Sequence, residues 1–225
     1  MATPLPQILS NLHAAAEAAG RPDPRLLAVS KTQPAVAVAA LAAQGQHAFG
    51  ENYVQEALAK MQVLQHLALE WHLIGHLQSN KADAVAIHFD WVQSVDRPKL
   101  VAALARHRPA ARGPLNVLIQ VNIDDESNKH GCAPEQVEEL ATAIAAEPSL
   151  RLRGLMAIPA PWPEAERRRD AFVRMRTLFQ ALTEQYPQVD TLSMGMSGDY
   201  AEAIAEGATL VRIGTALFGA RPRPA

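Results

Sequence analysis

The chain has 225 residues, with 21 Lys and Arg against 23 Asp and Glu, a formal net charge of −2 and a single cysteine. This charge balance argues against a general attraction to nucleic acid or anionic membranes, and one cysteine excludes an intramolecular disulfide. No apolar stretch approaches the ~20 residues of a membrane span, and residues 1–6 lack the basic and apolar regions of a signal peptide. The composition predicts one domain over residues 1–225, located in the cytoplasm.

Strand and helix patterns alternate along the whole sequence. A helix over Pro6–Ala19, ended by Gly20, comes first. Eight strands follow, each an apolar run of the kind that parallel sheets bury, and helical periodicity separates them. The predicted strands are Leu26–Lys31, Ala48–Gly50, Trp71–Gly75, Trp91–Val95, Leu115–Ile123, Arg153–Ile158, Leu192–Gly195 and Leu210–Gly214, with helices beginning near residues 34, 54, 81, 98, 134, 163 and 199.

Eight βα units in a chain of this length predict a single (β/α)8 TIM barrel with an extra N-terminal helix. An open, doubly wound sheet is the alternative. The barrel is favoured because the strands are short and evenly spaced. It is also favoured because no Gly-rich dinucleotide-binding turn follows the first strand.

Lys31 ends the apolar run Leu26–Lys31, which forms the first predicted strand. Barrel enzymes place their chemistry at the carboxyl ends of the strands. An amine held between apolar walls can lose its proton and attack an aldehyde. Taken alone, the segment also fits a surface lysine whose stem lies along the strand end.

Two loops near the end of the chain have the character of phosphate-binding loops. Gly195-Met196-Ser197-Gly198 follows the seventh strand, and Gly214-Thr215 follows the eighth. Barrels of this type often bind phosphate at these two positions. Ser197 could hold an anion with its hydroxyl or could cap the following helix, and plain turn chemistry remains the alternative for both loops.

Arg212 lies two residues before Gly214 in the last predicted strand. Residues two apart in a strand point to the same face, so the Arg212 side chain is expected to point into the barrel interior, as position 214 does. A buried charge without a partner is very costly. The candidate partners are a carboxylate, such as Asp96 or Glu51, and an acceptor atom on a bound ligand.

Together these residues fit a ligand that has an aldehyde, a phosphate and a ring nitrogen, namely pyridoxal 5′-phosphate (PLP). Lys31 would form the Schiff base, Ser197, Gly214 and Thr215 would hold the phosphate, and Arg212 would donate to the pyridine nitrogen. A Schiff-base aldolase acting on a sugar phosphate is the alternative, but it gives Arg212 no ring to contact.

The sequence resembles the pyridoxal phosphate homeostasis protein family, whose members resemble the barrel domain of bacterial alanine racemase. The resemblance extends over almost the whole chain and implies the barrel fold and a PLP covalently bound to Lys31. It is carried by Ala28–Lys31, Phe49–Glu56, His72–Lys81, Gln93–Asp96, Leu192–Asp199 and Val211–Gly219. The implied ring or phosphate contacts are Asn52, Met194, Ser197, Arg212, Gly214 and Thr215.

The resemblance further implies a protein that carries or buffers PLP without efficient catalysis. An arginine at the pyridine nitrogen disfavours its protonation and makes the ring a poorer electron sink. Racemisation also needs a second acid/base group, which alanine racemase takes from an extra β-domain for which this chain has no room. We therefore expect a monomer whose partners are PLP and PLP-dependent client enzymes.

Other functions remain open at this level. A PLP-dependent amino-acid racemase would need an internal base, for which His72, His76 and Tyr200 are the candidates. A lyase acting on a phosphosugar is a further possibility. A zinc site on His72, His76 and His130 is a weaker hypothesis, and the basic stretch around Arg167-Arg168-Arg169 is expected to form a solvated helix face paired with Glu164 and Glu166.

Overall fold

The structure, a computed structural model, describes residues 3–126 and 129–219. Eight parallel strands close into a barrel in chain order, and β8 pairs with β1. The strands are β1 Arg25–Val29, β2 Ala48–Glu51, β3 Glu70–Leu73, β4 Trp91–Val95, β5 Leu115–Val121, β6 Leu150–Ala157, β7 Thr191–Ser193 and β8 Leu210–Ile213. The helices are α1 Leu5–Ala19, α2 Ala35–Ala42, α3 Val54–Val63, α4 Ala82–His88, α5 Pro98–His107, α6 Val137–Ala145, α7 Ala165–Gln185, α8 Tyr200–Ala205 and α9 Thr215–Phe218.

The predicted (β/α)8 barrel and its N-terminal helix are confirmed, and the open doubly wound sheet is wrong because β8 pairs with β1. Most strand boundaries differ from the prediction by one to three residues, and two of them bear on the site or the register. β1 ends at Val29, two residues before Lys31. β6 begins at Leu150, because Leu150 and Leu152 pair with Leu115 and Val117 of β5.

The N-terminal helix α1 is amphipathic and packs against α8 and α9. Its buried residues, Leu5, Ile8, Leu12 and Ala16, recur at the three- and four-residue spacing of one helix face. Gly20 ends the helix in the left-handed conformation, with φ 61°, as its position after the last apolar residue predicts.

Side chains alternate between two layers along each strand. Those that point outward form the main core with the helices, as Leu26, Ala28 and Leu73 do. Those that point inward form two smaller apolar groups, one of Leu27, Ala48, Ile74 and Leu210 and one of Trp91, Leu118 and Met156. Within the described residues, no helix combines the length and apolar character needed to cross a bilayer.

A chain of hydrogen bonds also runs through the barrel interior. Arg212 Nη1 donates to Ser193 Oγ at 2.6 Å, and Ser193 Oγ donates to Gln93 Oε1 at 2.7 Å. Gln93 Nε2 lies 2.9 Å from His72 Nδ1, and His72 Nε2 lies 2.7 Å from Glu70 Oε1. Because the amide nitrogen can only donate, His72 Nδ1 is an acceptor and its proton lies on Nε2. Burial lowers the pKa of His72, which keeps the ring neutral.

Candidate functional site

A cavity of about 300 Å³ opens at the carboxyl ends of the barrel strands. This volume lies at the lower end of the range of small-molecule pockets, roughly 300–1,000 Å³. Each lining residue is near the end of a strand or in the loop that follows it. The lining residues are Val29, Lys31, Asn52, Ile74, Ile158, Met196, Ser197, Gly198, Arg212, Gly214 and Thr215.

The cavity brings together most of the site residues that the sequence predicts. Six of them line it: Lys31, Asn52, Ser197, Arg212, Gly214 and Thr215. Met194 does not line the cavity. Its side chain is fully buried in the outer core, because Ser193 faces the interior and neighbouring side chains of a strand face opposite ways.

The apolar part of the lining was not predicted. Val29, Ile74, Ile158 and Met196 form walls of the cavity. Apolar residues at strand ends resemble core residues in a sequence, so residue type carried no signal. Their position directly at or after a predicted strand end was the usable signal.

Arg212 is the innermost charged group of the cavity, with 3% of its surface exposed. Its guanidinium donates to Ser193 Oγ at 2.6 Å and to the Ala157 carbonyl at 2.8 Å. Burial lowers its pKa to about 10, against a smaller opposing effect of Asp199. The guanidinium therefore stays charged at neutral pH and can only donate hydrogen bonds.

Neither carboxylate predicted as the partner of Arg212 contacts it. Asp96 instead accepts from Arg97 at 2.5 Å, and Glu51 accepts from Lys60 at 2.7 Å. A hydroxyl and a carbonyl oxygen instead accept two of the five N–H donors of the guanidinium.

The loop after β7 leaves the Ser197 hydroxyl at the cavity. The alternative role of Ser197 as a helix cap is wrong, because α8 begins at Tyr200 with Asp199 at its cap position. Asp199 Oδ1 accepts from the Met196 amide at 2.6 Å and so fixes the loop. Gly195 is required here, since its φ is 89° and a Cβ would lie 2.6 Å from Ala203 Cβ.

Asn52 contributes a polar atom that has no protein partner among the described residues. Its Oδ1 is buried and makes no hydrogen bond, although the residue lines the cavity. An unsatisfied buried acceptor costs free energy, so a ligand donor at this point would be stabilising. Gly75 allows the close approach of the neighbouring loop, because a Cβ there would lie 2.2 Å from the Asn52 carbonyl oxygen.

The three candidate bases lie outside the cavity lining. His72 is fully buried, and both of its ring nitrogens are engaged in the interior chain. His76 is exposed and lines a separate cleft. Tyr200 begins α8 and is not among the lining residues. The described part of the chain thus brings no second titratable base to face Lys31 across the cavity.

The weaker hypothesis of a zinc site on His72, His76 and His130 is wrong, because His72 lies in the barrel interior. Instead, His76, His130 and Asp96 have ligand atoms within 4.8 Å of one another. The two imidazole rings stack with centroids 3.7 Å apart, and Asp96 accepts from Arg97. These contacts account for the grouping, and we assign no metal to it.

The basic stretch of α7 is neutralised by partners other than the predicted Glu164 and Glu166. Arg168 pairs with Glu202 at 2.9 Å, and Arg169 pairs with Glu206 at 2.7 Å. Arg167 lies over the ring of Trp162, at 4.9 Å from its centroid. The stretch therefore connects α7 to the α8 region and to the loop that precedes α7.

Cys132 is expected to be unreactive in the folded protein. It is 3% exposed, and burial raises the pKa of its thiol to about 12, so the reactive thiolate is scarce at neutral pH. In a colorimetric thiol titration we expect almost no reaction of the native protein within minutes, and one thiol per chain after unfolding in denaturant. A fast, stoichiometric reaction of the native protein would contradict this prediction.

Comparison with known proteins identifies the family. The family described as alanine racemase, N-terminal domain, matches residues 4–222. The Pyridoxal phosphate homeostasis protein of Pseudomonas aeruginosa is 54% identical over 218 residues, covering 96% of this chain and 93% of that protein.

Solved structures of similar proteins agree with the fold. PipY of Synechococcus elongatus PCC7942 covers 94% of this chain and 100% of its own. It matches with a TM-score of 0.83 and 39% identity without PLP, and with 0.78 and 37% with PLP bound. Alanine racemase of Corynebacterium glutamicum shares the fold, with a TM-score of 0.71 and 20% identity, and this chain covers 63% of it. The chain therefore belongs to the pyridoxal phosphate homeostasis protein family, within the group described as the alanine racemase N-terminal domain.

Proposed function

We propose that this chain binds PLP as a Schiff base on Lys31 and holds it reversibly, carrying or buffering the cofactor without efficient catalysis. One observation carries the proposal: Lys31, Arg212 and the loops after β7 and β8 line the same small cavity. The names of the relatives and the PLP-bound structure of PipY support it.

The cavity residues fit the parts of the cofactor. Ser197 and Thr215 offer hydroxyls, and Gly198 and Gly214 leave the backbone open, so this side suits the phosphate. Gly214 already lies close to β1, since a Cβ there would be 3.2 Å from the Val29 carbonyl oxygen. Arg212, a buried donor that lines the cavity, would donate to the ring nitrogen.

The chemistry on Lys31 needs no further reactant. When bound, PLP supplies an aldehyde. Lys31 would supply the amine that condenses with this aldehyde with loss of one water molecule, and addition of one water molecule would release the cofactor. Val29, Ile74 and Ile158 form apolar walls of the same cavity.

The same geometry argues against efficient turnover. Arg212 remains charged and donates, so a ring nitrogen facing it is an acceptor and the ring is a weak electron sink. Racemisation needs a second acid/base group across the substrate. Of the candidate bases, His72 is engaged on both ring nitrogens inside the barrel.

The proposal extends to the setting of the protein. A charge of −2 and a single cysteine are typical of a cytoplasmic protein without affinity for nucleic acid. We propose that it acts there as a monomer and that PLP-dependent enzymes are the clients that receive the cofactor.

The deciding experiment is spectroscopic. The purified chain is incubated with PLP, freed of excess cofactor and reduced with borohydride, and its peptides are mapped. We expect a Schiff-base absorbance band that reduction removes, with the added mass on the peptide that contains Lys31. In parallel, amino acids are offered to the PLP-loaded protein, and no rapid racemisation or transamination is expected. Lack of the band would overturn PLP binding, and rapid turnover would overturn the carrier role.

A further inference from the structure

A buried ionic cluster lies behind the Lys31 segment, outside the cavity lining. At its centre is Lys60 of α3, which is 5% exposed. Its Nζ lies 2.7 Å from the Ser30 carbonyl oxygen, 2.7 Å from Glu51 Oε1 and 2.6 Å from Glu56 Oε1. A lysine ammonium has three donors, so these three acceptors saturate it. We refer to Lys60, Glu51, Glu56 and Ser30 as the Lys60 cluster.

The Lys60 cluster binds the backbone on both sides of Lys31. Before it, the Ser30 carbonyl accepts from Lys60, and the Ser30 hydroxyl donates to Glu51 Oε1 at 2.5 Å. After it, the Thr32 amide donates to Glu56 Oε1 at 2.6 Å. The residues flanking Lys31 are therefore fixed by one set of side chains from β2 and α3.

The segment needs such support because its conformation is unfavourable. Thr32 has φ 63°, in the left-handed region that β-branched residues rarely adopt. Residues in such conformations persist where the surrounding contacts over-determine them. Here the contacts are the Glu56 carboxylate on the Thr32 amide and the Thr32 hydroxyl on the Lys31 carbonyl, at 2.6 Å.

The charges of the cluster depend on Lys60. Its ammonium pairs with Glu51, whose side chain is fully buried, and with Glu56. Removing one partner of a buried ion pair leaves an uncompensated charge, which is strongly unfavourable. Loss of the ammonium therefore forces the two carboxylates, and with them the Ser30 and Thr32 contacts, to rearrange.

We infer that Lys60 is a positioning residue: it fixes the backbone of residues 30–32 and thereby aims the Lys31 amine into the cavity, which sets how tightly PLP is retained. Lys60 is not itself a second site of attachment, because its amine is buried and all three donors are engaged. This inference rests on the proposed attachment of PLP to Lys31.

The test compares Lys60→Met with Lys99→Met, a matched change at an exposed position of α5. Two quantities are measured: the Kd for PLP by absorbance titration, and the hydrogen exchange of the amides of residues 30–33 in the cofactor-free protein. For Lys60→Met we expect the Kd for PLP to rise about tenfold, which corresponds to the free energy of about one charge-assisted hydrogen bond. We also expect faster hydrogen exchange of the amides of residues 30–33. For Lys99→Met we expect wild-type values of both.

A second variant protects the test against misfolding. Lys60→Met combined with Glu51→Gln removes the buried unpaired carboxylate and is expected to fold, as judged by circular dichroism, with the same loosened segment. A folded variant of either kind with wild-type Kd and wild-type exchange would overturn the inference. If the wild-type chain itself fails to retain PLP, the proposed function fails, and the exchange of the cofactor-free variants still decides whether Lys60 holds the segment.

Discussion

Lys31→Ala is expected to abolish covalent retention of PLP while leaving the barrel folded. The change removes the amine that lines the cavity. It removes little packing, because Lys31 is half-buried and follows β1 instead of lying within it. The variant is incubated with PLP, passed through a desalting column and examined by absorbance and borohydride reduction. The Schiff-base band is expected to be absent, with an unchanged thermal unfolding midpoint.

Lys99→Ala is the control for this experiment, because Lys99 is exposed on α5, outside the cavity lining. It is expected to keep the full band. A band of wild-type intensity in Lys31→Ala would show that another lysine carries the cofactor, and peptide mapping of the reduced protein would identify it. Weak binding that is not trapped by borohydride is compatible with the prediction, since the phosphate-side residues remain.

Arg212→Met is expected to weaken PLP binding by about ten- to a hundredfold. The proposed bond from the guanidinium to the ring nitrogen is charge-assisted, and such bonds contribute about 1.5–3 kcal/mol, while about 1.4 kcal/mol corresponds to a factor of ten. The variant also leaves Ser193 Oγ and the Ala157 carbonyl without their donor. The Kd is measured by absorbance titration, and the free energy of unfolding by urea denaturation.

Arg106→Met, an exposed change in the last turn of α5, controls for loss of a positive charge. It is expected to alter neither quantity. Arg212→Lys separates charge from geometry, because lysine keeps the charge but lacks the planar fork of donors. If Arg212→Met folds and binds PLP with wild-type affinity, Arg212 does not contact the bound ring.

Much of the fold could be predicted from the sequence because apolar periodicity and helix-ending glycines are local signals. Eight short apolar runs placed all eight strands, and Gly20 placed the end of α1. The end of β1 was misplaced because it depends on nonlocal bonds. The Ser30 amide still donates to the Gly50 carbonyl, but the Thr32 amide bonds to Glu56 instead of to a strand.

The sequence predicted the polar residues of the site that directly follow strands. It did not predict residues whose role depends on how separate elements pack together, such as Lys60. Lys60 and Glu56 are four residues apart on α3 and look like an ordinary surface ion pair. The burial of Lys60 against Ser30 and Glu51 becomes visible once β1, β2 and α3 are packed together. For Arg212 the sequence suggests a carboxylate or a ligand acceptor as the partner, because a charge suggests an opposite charge or a bound group. Within the protein, Ser193 and the Ala157 carbonyl accept its hydrogen bonds.

The interior hydrogen-bond chain has a polarity that constrains any redesign of this pocket. Every proton in it points the same way, from Arg212 through Ser193, Gln93 and His72 to Glu70. A carboxylate in place of Arg212 could only accept a hydrogen bond from the Ser193 hydroxyl, whereas the arginine donates to it. Ser193 would then have to turn its proton toward the carboxylate, which would leave the Gln93 oxygen without its donor. An acidic ring partner at position 212 would therefore also require a new donor for the Gln93 oxygen, so the redesign extends beyond the arginine into the barrel interior.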